Sequence, residues 1–401
     1  DDALGDLATL IEATEPARIA AIAGDLQDAE SLKALKDLMA QIGSPHLDCR
    51  ADGSQIKGPR SSYLFNPGIA GIEQADAILL VGTNPRLEAP ILNARIRKRA
   101  LEGGLKVGVI GEQADLTYRA EYLGAGPQTL SEVLGGSHSF AQTLKDAEHP
   151  LVIVGAGALA RADGVAVHQA AMRIAEQSGA IKDGWTGFGV LHTAASRVAG
   201  LDLGLLPGVD GKSTAEIQAG CENGEIDLVI LLGADEMDMN RFGRAKLVYL
   251  GTHGDRGAHR ADIILPGSAY TEKNGLYANL EGRVQEARRA VFAPGQAKED
   301  WAILRALSGV LGNPLPYDSR EAVVEAILAD APQFGTLDAL PDEAWVSPAG
   351  DAALDANAPG FASPVTDFYM TNPIARASRT MADCARQRAD LKAEAQGGQH
   401  G

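Results

Sequence analysis

Short apolar runs that each stop at a glycine recur at two places in the chain. Residues 75–82 read ADAILLVG and residues 226–233 read IDLVILLG, 151 positions later (226 − 75 = 151). Residues 106–111 (KVGVIG) and 246–251 (KLVYLG) repeat a second strand, 140 positions apart (246 − 106 = 140). Helical patterns alternate with these runs, which is typical of parallel sheets with helices on both faces. The repetition therefore predicts two related, doubly wound α/β lobes.

The composition limits the kinds of partner. The chain has 401 residues, of which 45% are hydrophobic, enough to bury the cores of two or three domains. A net charge of −17 argues against binding to nucleic acid or to an anionic lipid surface, since both need a basic face. No apolar run approaches the roughly 20 residues of a membrane-spanning helix. The three cysteines, Cys49, Cys221 and Cys384, are too far apart for a Cys-x-x-Cys metal site or a disulfide framework.

The C-terminal part has a different composition from the rest. Residues 331–364 are rich in Pro, Ala, Gly and Asp and lack periodicity, which predicts an extended arm. Asn372 and Pro373 then begin a helical pattern whose narrow apolar stripe reaches Cys384. We therefore expect residues 331–401 to form an irregular arm followed by one helix.

Four long segments resemble the molybdopterin oxidoreductase superfamily. They read SSYLFNPGIAGIEQADAILLVGTNPRLEAPILNARIRK (61–98), VYLGTHGDRGAHRADIILPG (248–267), ADIILPGSAYTEKNGLYANLEGRVQEARRAVFAPGQAKEDW (261–301) and DFYMTNPIARASRTMADC (367–384). Within that superfamily, the chain resembles the large iron–sulfur subunit of respiratory NADH:quinone oxidoreductase, complex I. Matches of this length are far more specific than a glycine fingerprint.

The resemblance implies a fold of the molybdopterin oxidoreductase type, with two doubly wound parallel-sheet lobes and the second lobe inserted into the first. Carried onto this sequence, residues 1–45 pair with 222–330 as the first lobe, and 46–221 form the inserted lobe. The chain opens within a helical pattern and without an initiator Met, so we expect it to be a fragment. The resemblance then implies that a preceding part of the parent subunit holds its 2Fe-2S and 4Fe-4S clusters.

The turn after the first repeated strand is the candidate edge of a cofactor cleft. Gly82, Asn84 and Arg86 follow the strand at its carboxyl end, where open α/β sheets bind ligands. For a molybdenum enzyme the resemblance implies a guanine dinucleotide here, a next strand ending in an Asp-Pro-Arg type triplet and a later Pro-Gly-Thr-Asp type loop. This sequence has GEQ at 111–113 and GAGP at 124–127 instead. We therefore expect a vestigial cleft without molybdopterin, and neither a catalytic residue nor a metal ligand in the segment.

Two further features allow both a functional and a structural interpretation. Residues 155–160 (GAGALA) follow a strand and match the dinucleotide pattern G-x-G-x-x-A, but Asp163 and Gly164 interrupt the expected helix, which favours a tight strand–helix turn. Cys49 precedes the Gly82 turn, near where the resemblance implies a molybdenum ligand, but it lacks the histidine that often follows such a ligand. A buried thiol is the more common interpretation.

Two loops and one helix end also offer charged groups. His253, Asp255 and His259 form a possible metal cluster, but two arginines in the same loop repel a cation, which favours a hydrogen-bonded turn. Residues 235–238 (DEMD) offer carboxylates to magnesium, although a solvated acidic loop is more common. The basic cluster at 95–99 complements a helix dipole, and an acidic partner surface is the alternative.

We expect this segment to be a non-catalytic scaffold. The resemblance implies a parent subunit that passes electrons from NADH to quinone through iron–sulfur clusters, in a complex that couples this transfer to proton pumping. It also implies other hydrophilic-arm subunits of complex I as partners. The implied location is peripheral, on the cytoplasmic side of a bacterial inner membrane or the matrix side of the mitochondrial one. An active molybdenum or tungsten oxidoreductase subunit, such as a formate dehydrogenase, is the alternative, and a nucleotide-binding module that uses the Gly155 turn is a third possibility.

Overall fold

Two five-stranded parallel sheets form the framework of the molecule, accompanied by two short antiparallel pairs. The structure is a computed structural model, and it describes residues 2–350 and 352–397, with side chains described as far as residue 391. Helices flank both sheets. The expected α/β class with two doubly wound parallel sheets is confirmed.

The strands are short, and most of them belong to the two large sheets. In chain order they are β1 (Ile19–Ala23), β2 (His46–Asp48), β3 (Ala77–Val81), β4 (Lys106–Ile110), β5 (Glu121–Gly124), β6 (Pro150–Val154), β7 (Ile181–Lys182), β8 (Trp185–Thr186), β9 (Phe188–Val190), β10 (Leu228–Leu232), β11 (Lys246–Gly251), β12 (Ile263–Pro266), β13 (Gly275–Ala278) and β14 (Val284–Ala287).

The helices connect the strands, and some of them follow the last strand, β14. In chain order they are α1 (Asp2–Glu12), α2 (Ala29–Ile42), α3 (Gly68–Gly71), α4 (Pro85–Glu88), α5 (Pro90–Leu101), α6 (Pro127–Leu134), α7 (Ser139–Lys145), α8 (Ala156–Leu159), α9 (Gly164–Gln177), α10 (Arg197–Asp202), α11 (Thr214–Asn223), α12 (Arg256–Arg260), α13 (Asp300–Val310), α14 (Arg320–Asp330), α15 (Pro373–Arg376) and α16 (Arg379–Gly397).

The first sheet has the order β12-β11-β10-β1-β2, with every neighbouring pair parallel. Ile19 lies opposite Leu228, so β1 pairs with a strand 209 positions further along the chain (228 − 19 = 209). The strand order reverses between β1 and β10. Gly24 and Gly233 follow these two strands and mark the switch point, where an open parallel sheet binds ligands.

The second sheet has the order β5-β4-β3-β6-β9, and it is also parallel throughout. Ala77 lies opposite Lys106 on one side and Pro150 on the other, so β3 is the central strand. The order reverses between β3 and β6, which are followed directly by Gly82 and Gly155. The two repeated strand–glycine patterns of the sequence therefore lie at equivalent positions of two similar sheets.

Apolar side chains on both faces of the strands explain why the sheets are covered on both sides. In β1, Ile19, Ala21 and Ala23 pack into one core, while Ala20 and Ile22 pack into another. All five are fully buried. A strand that is apolar at every position is typical of a parallel sheet between two helical layers.

The sheets draw on different parts of the chain. Residues 77–190 supply every strand of the second sheet, and the first sheet combines residues 19–48 with 228–266. His46, the first residue of β2, falls just inside the predicted inserted lobe, although β2 pairs in the first sheet. The predicted lobe boundaries themselves stay a prediction.

The C-terminal arm packs along the body of the molecule. Apart from a single bridging residue, the described residues between 336 and 372 form neither helix nor strand, as the composition predicts. Trp345 Nε1 donates a hydrogen bond to Glu176 Oε1 at 2.8 Å, and the Trp345 ring meets Phe188 edge-on with centroids 5.5 Å apart. The arm is therefore irregular and also anchored.

The prediction of a single C-terminal helix is wrong in one respect, because the structure has two helices there. Helix α15 ends at Arg376, and α16 begins at Arg379. Ser378 Oγ accepts a hydrogen bond from the Met381 amide at 3.3 Å, so Ser378 caps a new helix rather than continuing the old one. Residues 398–401 of the predicted arm lie outside the described residues.

Candidate functional site

The carboxyl edge of the second sheet is closely packed at its switch point. Gly82 has a φ of +56°, a left-handed conformation that favours glycine. A Cβ atom on Gly82 would lie 2.5 Å from the backbone nitrogen of Ala158, and a Cβ on Gly155 would overlap Thr83. The turns that follow β3 and β6 are therefore in direct contact.

The predicted cleft residues Gly82, Asn84 and Arg86 lie in one turn, where two of them have partners. Asn84 Oδ1 accepts a hydrogen bond from the Arg86 amide at 3.2 Å and so caps α4. Arg86 Nη1 donates to the backbone oxygen and to a carboxylate oxygen of Asp115, both at 2.8 Å, and its side chain is 48% exposed. Asn84 therefore stabilises its own turn, and Arg86 links this turn to the loop that contains Asp115. A role of these residues in a cofactor cleft stays a prediction.

Glu88 is the residue at this edge that the sequence interpretation missed. Its Oε1 accepts from the Asn84 amide at 2.7 Å, and its Oε2 accepts from Thr83 Oγ1 at 3.0 Å. Burial raises the pKa of Glu88, while hydrogen bonds from Asn84, Thr83, Ser363 and Ala156 oppose that rise. The Glu88 carboxylate therefore accepts hydrogen bonds from groups at the ends of the strands. The only sequence signal was an acid one helical turn after Asn84, which is common in short helices.

A segment of the arm, residues 359–376, crosses this edge, and we call it the strap. The Phe361 amide donates to the Ala125 carbonyl oxygen at 2.8 Å, and the Phe361 side chain is buried. The guanidinium carbon of Arg161 lies 5.1 Å from the Phe361 ring centroid, and Arg161 Nη1 donates to the Pro359 carbonyl oxygen at 2.8 Å. The strap is therefore held by one backbone hydrogen bond, one hydrogen bond from the Arg161 side chain, a buried ring and a cation–π contact.

The glycine-rich turn at 155–160 packs against the strap. A Cβ atom on Gly157 would overlap the carbonyl oxygen of Ala362, so this glycine is needed for close approach of the strap backbone. Helix α8 ends at Leu159 and α9 starts only at Gly164, so the helix that a dinucleotide site requires is interrupted, as the sequence suggests. These contacts favour the tight strand–helix turn over nucleotide binding.

The carboxyl edge of the first sheet is also covered by the strap. Gly24 is so close to Gly233 that a Cβ atom would overlap the Gly233 carbonyl oxygen. Beside this point, Arg376 of the strap forms ion pairs with Asp235, which follows β10, and with Asp255, which precedes α12. The Asp235 carboxylate is fully buried, and the Arg376 side chain is 7% exposed. A cationic side chain therefore lies at the switch point of the first sheet.

Further acids surround this ion pair. Burial raises the pKa of Asp25 to about 6, although the charge of Arg197 opposes the rise. Burial and the nearby charges of Asp25 and Asp235 raise the pKa of Glu236 to about 8. Carboxyl groups with raised pKa values reflect unfavourable burial of negative charge. The first edge is therefore acidic, and an anion would add to the repulsion.

Two of the metal interpretations can be compared with this geometry. Asp235 is buried and paired with Arg376, so the interpretation of 235–238 as a solvated acidic loop is wrong for its first residue. In the other loop, Asp255 also pairs with Arg376, and the His253 ring contacts its neighbour Thr252 at 2.8 Å. Within the described part of the chain, no group of three His, Cys, Asp or Glu side chains is arranged to hold a metal ion.

Cys49 is a buried thiol. Burial raises its pKa to about 12, although the charge of Arg197 opposes the rise. The thiol packs against α10, where a Cβ atom on Gly200 would lie 2.8 Å from the Cys49 sulfur. Arg197 instead pairs with Asp52 at 3.1 Å and donates to Ser54 Oγ at 2.8 Å. Since the thiolate is the form that ligates metals, this environment favours the structural interpretation of Cys49.

A cavity of about 620 Å³ lies at the C-terminal end of the strap, which contributes part of its lining. Leu26, Tyr270, Tyr277, Ile374 and Met381 contribute to its mainly apolar lining. The volume falls within the usual range for small-molecule sites. Tyrosine hydroxyls are the only titratable groups in the described lining, so the cavity suits binding of an apolar group better than acid–base chemistry.

A phosphate-bearing cofactor of the kind that the resemblance implies does not fit these edges. The strap backbone fills the space above Gly157, and the Glu88 carboxylate already takes donors of the β3 turn. At the other edge, Asp235 and Asp255 would repel a phosphate, and Arg376 pairs with both of them. Both switch points are therefore filled by groups of the chain itself.

Comparison with protein families and with curated sequences identifies relatives over most of the chain. Residues 2–310 match the family model of molybdopterin oxidoreductase, and residues 342–384 match the model of the C-terminal region of the NADH-ubiquinone oxidoreductase G subunit. The mitochondrial NADH dehydrogenase [ubiquinone] iron-sulfur protein 1 of Solanum tuberosum is 42% identical over 387 residues, covering 96% of this chain and 51% of that protein. The NADH-ubiquinone oxidoreductase 75 kDa subunit of Reclinomonas americana is 39% identical, covering 94% and 56%. The NADH-quinone oxidoreductase G subunit of Rickettsia felis is 38% identical, covering 96% and 55%.

Solved structures of two proteins share the fold. Acetylene hydratase from Pelobacter acetylenicus superposes with a TM-score of 0.59 at 12% identity, covering 85% of this chain and 64% of that one. A chain of the formyltransferase/hydrolase complex from Methylorubrum extorquens superposes with a TM-score of 0.56 at 17% identity, covering 81% and 96%. At these identities the likeness concerns the fold alone. The chain spans about half the length of the curated relatives that it matches. It belongs to the molybdopterin oxidoreductase family, and its curated relatives named above are NADH dehydrogenase subunits.

Proposed function

We propose that this chain is a scaffold region of the complex I subunit that passes electrons from NADH towards quinone, and that it carries out no catalysis itself. The observation that carries the proposal is the coverage of both sheet edges by the strap, in a chain whose curated relatives are NADH dehydrogenase subunits. A fold whose ligand-binding edges are filled by its own residues supplies shape and surface rather than a reaction site.

In this proposal, the parent protein carries its electrons on 2Fe-2S and 4Fe-4S clusters that lie outside this segment. The Solanum tuberosum relative is named an iron-sulfur protein, and this chain spans about half of its length. The three cysteines of the segment are widely spaced, and burial raises the pKa of both Cys49 and Cys221 to about 12. Such thiols are poorly suited to hold a cluster, which needs several thiolates close together. The segment holds no molybdopterin in this proposal.

The same proposal includes the division into lobes. Residues 1–45 with 222–330 form the first lobe, 46–221 form the inserted lobe, and 331–401 form the arm and helices. The separate strand contributions to the two sheets support this division. The pairing of β2 in the first sheet suggests that the first boundary lies a few residues later than position 45.

The partners in this proposal are other hydrophilic-arm subunits of complex I. The protein would lie peripherally, on the cytoplasmic side of a bacterial inner membrane or on the matrix side of the mitochondrial membrane. In residues 2–350 and 352–397, no helix combines the length and the apolarity needed to cross a bilayer. The subunit names of the relatives support membership in the complex.

Assembly tests the scaffold role. The parent protein lacking residues 365–401 should be incorporated poorly into the complex, as measured by native gel electrophoresis with NADH dehydrogenase staining. Unchanged incorporation would contradict a role of this part in assembly. The alternative, an active molybdenum or tungsten enzyme, is tested by metal analysis of the purified protein, where stoichiometric molybdenum with a bound pterin would overturn the proposal.

A further inference from the structure

We propose that the carboxyl edge of the first sheet is a guanidinium-binding site, that Arg376 is its internal ligand, and that this contact latches the strap onto the edge. The site is a property of the segment itself, so it goes beyond the proposed role in complex I and does not depend on it.

The geometry is that of two carboxylates converging on one guanidinium. Arg376 Nη2 donates to Asp235 Oδ1, and Arg376 Nε donates to Asp255 Oδ2. The acids come from different loops, one after β10 and the other at the start of α12. Their side chains are 0% and 22% exposed. Two donors of a planar group are thus directed to two fixed acceptors, which a guanidinium satisfies better than a spherical cation.

The electrostatic surroundings favour a permanent cation. Asp25 and Asp235 both raise the pKa of Glu236, so these acidic groups lie near one another. Burial alone would raise the pKa of Asp255, but the hydrogen bond and the charge of Arg376 lower it below its usual value. An arginine keeps its charge at every physiological pH, whereas lysine loses its charge more readily when buried. Removal of Arg376 would therefore leave several acids close together without their shared cation.

An unpartnered hydroxyl also points to a polar occupant at this site. Tyr249 is 1% exposed, and its hydroxyl has no hydrogen-bond partner among the described residues. Burial raises the pKa of Tyr249, and Asp235, Glu236 and Asp255 raise it further while Arg376 lowers it, so these groups are near one another. The site therefore combines two carboxylates with the Tyr249 hydroxyl, as expected of a site that binds a cation through hydrogen bonds.

The position of Arg376 in the chain explains why the contact acts as a latch. Asn372 Oδ1 caps α15 by accepting from the Ala375 amide at 2.9 Å, and this short helix places the Arg376 side chain at the edge. The segment at 342–384, which matches the C-terminal family model, includes Arg376. The part of the chain that matches this separate model is thus the part that supplies the internal ligand.

Chemical rescue tests the guanidinium site directly. In the intact parent protein, Arg376→Ala should increase hydrogen exchange of the peptide spanning residues 372–376 by at least about tenfold, because loss of the arginine leaves Asp235 buried without its cation, at a cost of more than about 1.4 kcal/mol. Millimolar methylguanidinium should restore the protection, and methylammonium at equal concentration should restore much less. Arg379→Ala, at an exposed position in the next helix, is the matched control and should change neither quantity.

Unchanged exchange in Arg376→Ala, or equal rescue by methylammonium and methylguanidinium, would overturn the proposal. If Arg376→Ala does not fold, a pair of truncations gives the answer. A chain that ends after residue 378 keeps Arg376, so the amides of Phe361 and Ala375 should stay protected from hydrogen exchange. A chain that ends after residue 371 lacks Arg376, and its Phe361 amide should lose this protection. Equal protection of Phe361 in both truncations would contradict the latch. These measurements need no assembled complex, so their failure is distinguishable from failure of the scaffold role.

Discussion

Lys273 Nζ lies 2.5 Å from Asp28 Oδ2 in the interior of the protein beside the first sheet. It also lies 2.7 Å from Asp300 Oδ2, and its side chain is 3% exposed. Despite burial, the two carboxylates raise the pKa of Lys273. The lysine thus links the start of α2 to the start of α13 through one buried charge.

Replacement of this lysine should be strongly destabilising. Lys273→Met leaves Asp28 and Asp300 close together without a cation, and we expect a loss of about 3–5 kcal/mol in the free energy of unfolding. Urea denaturation measures this loss. Lys246→Met is the control, because Lys246 pairs with Asp262 at the surface and should contribute less than about 1 kcal/mol. Similar losses in the two variants would contradict the structural role of the buried lysine.

The stability of the protein should fall in acid in a way that depends on His168. The imidazole is 3% exposed and its Nε2 lies 2.7 Å from the Ser62 carbonyl oxygen. Burial lowers the pKa of His168 to about 4, below the unfolded value of about 6.5. The unfolded chain therefore binds the proton more tightly, so stability is lost as the pH falls from about 6.5 to about 4, by up to about 3 kcal/mol.

A variant without this titration should show a weaker pH dependence. We expect His168→Gln to be less stable than the unchanged protein near neutral pH, with the difference narrowing towards pH 4. Unfolding measured across this pH range checks the expectation. His259→Gln, at an exposed histidine, should keep the original pH dependence. A constant difference between the His168 variant and the unchanged protein would count against the buried neutral imidazole.

The contact between the ends of β1 and β10 should tolerate no side chain. Gly24→Ala places a methyl group on the Gly233 carbonyl oxygen, which the backbone can avoid only by moving the strands apart. We expect a loss of at least about 1–3 kcal/mol, visible as a lower midpoint of thermal unfolding. Gly254→Ala meets nothing within 4 Å, so it should leave the midpoint nearly unchanged. If Gly24→Ala left the midpoint of thermal unfolding unchanged, the two strand ends would have to be packed less closely than this contact requires.

The three cysteines should differ in reactivity. Burial raises the pKa of Cys49 and of Cys221 to about 12, so their thiolate fraction at pH 8 is on the order of 10⁻⁴. Cys384 is partly exposed on α16. We expect a thiol reagent to modify Cys384 first in the native protein, and Cys384→Ser to abolish this fast phase. Rapid labelling of Cys49, identified by peptide mass, would be inconsistent with its buried environment.

The sheets were predictable because the sequence repeats their central pattern. The runs at 77–81 and 228–232 are fully apolar and stop at a glycine, and these two properties alone identify a buried strand and its end. The pairing of β1 with β10 was not predictable from local pattern, because any apolar strand resembles another. Only the resemblance supplied that expectation.

The candidate site was less accessible to sequence reasoning. Gly82, Asn84 and Arg86 were found because they follow a strand, but Asn84 bonds within its own turn and Arg86 pairs with Asp115. Glu88 and Arg376 act through contacts with residues distant in sequence, such as Ser363 for Glu88 and Asp235 for Arg376. A lone acid or arginine in a short helix is most often solvated, so its type and spacing carry no signal of such a role.

The strap also imposes an order on folding during synthesis. Residues 359–376 leave the ribosome after every strand of both sheets, because the last of these strands, β12, ends at Pro266. Asp235 and Asp255 are therefore synthesised before Arg376, which neutralises them in the complete protein. Until the strap is synthesised, the growing chain therefore contains these two acids without the cation that pairs with them in the complete protein. Early termination of translation would yield a chain that contains every strand of both sheets but lacks the strap that covers their edges.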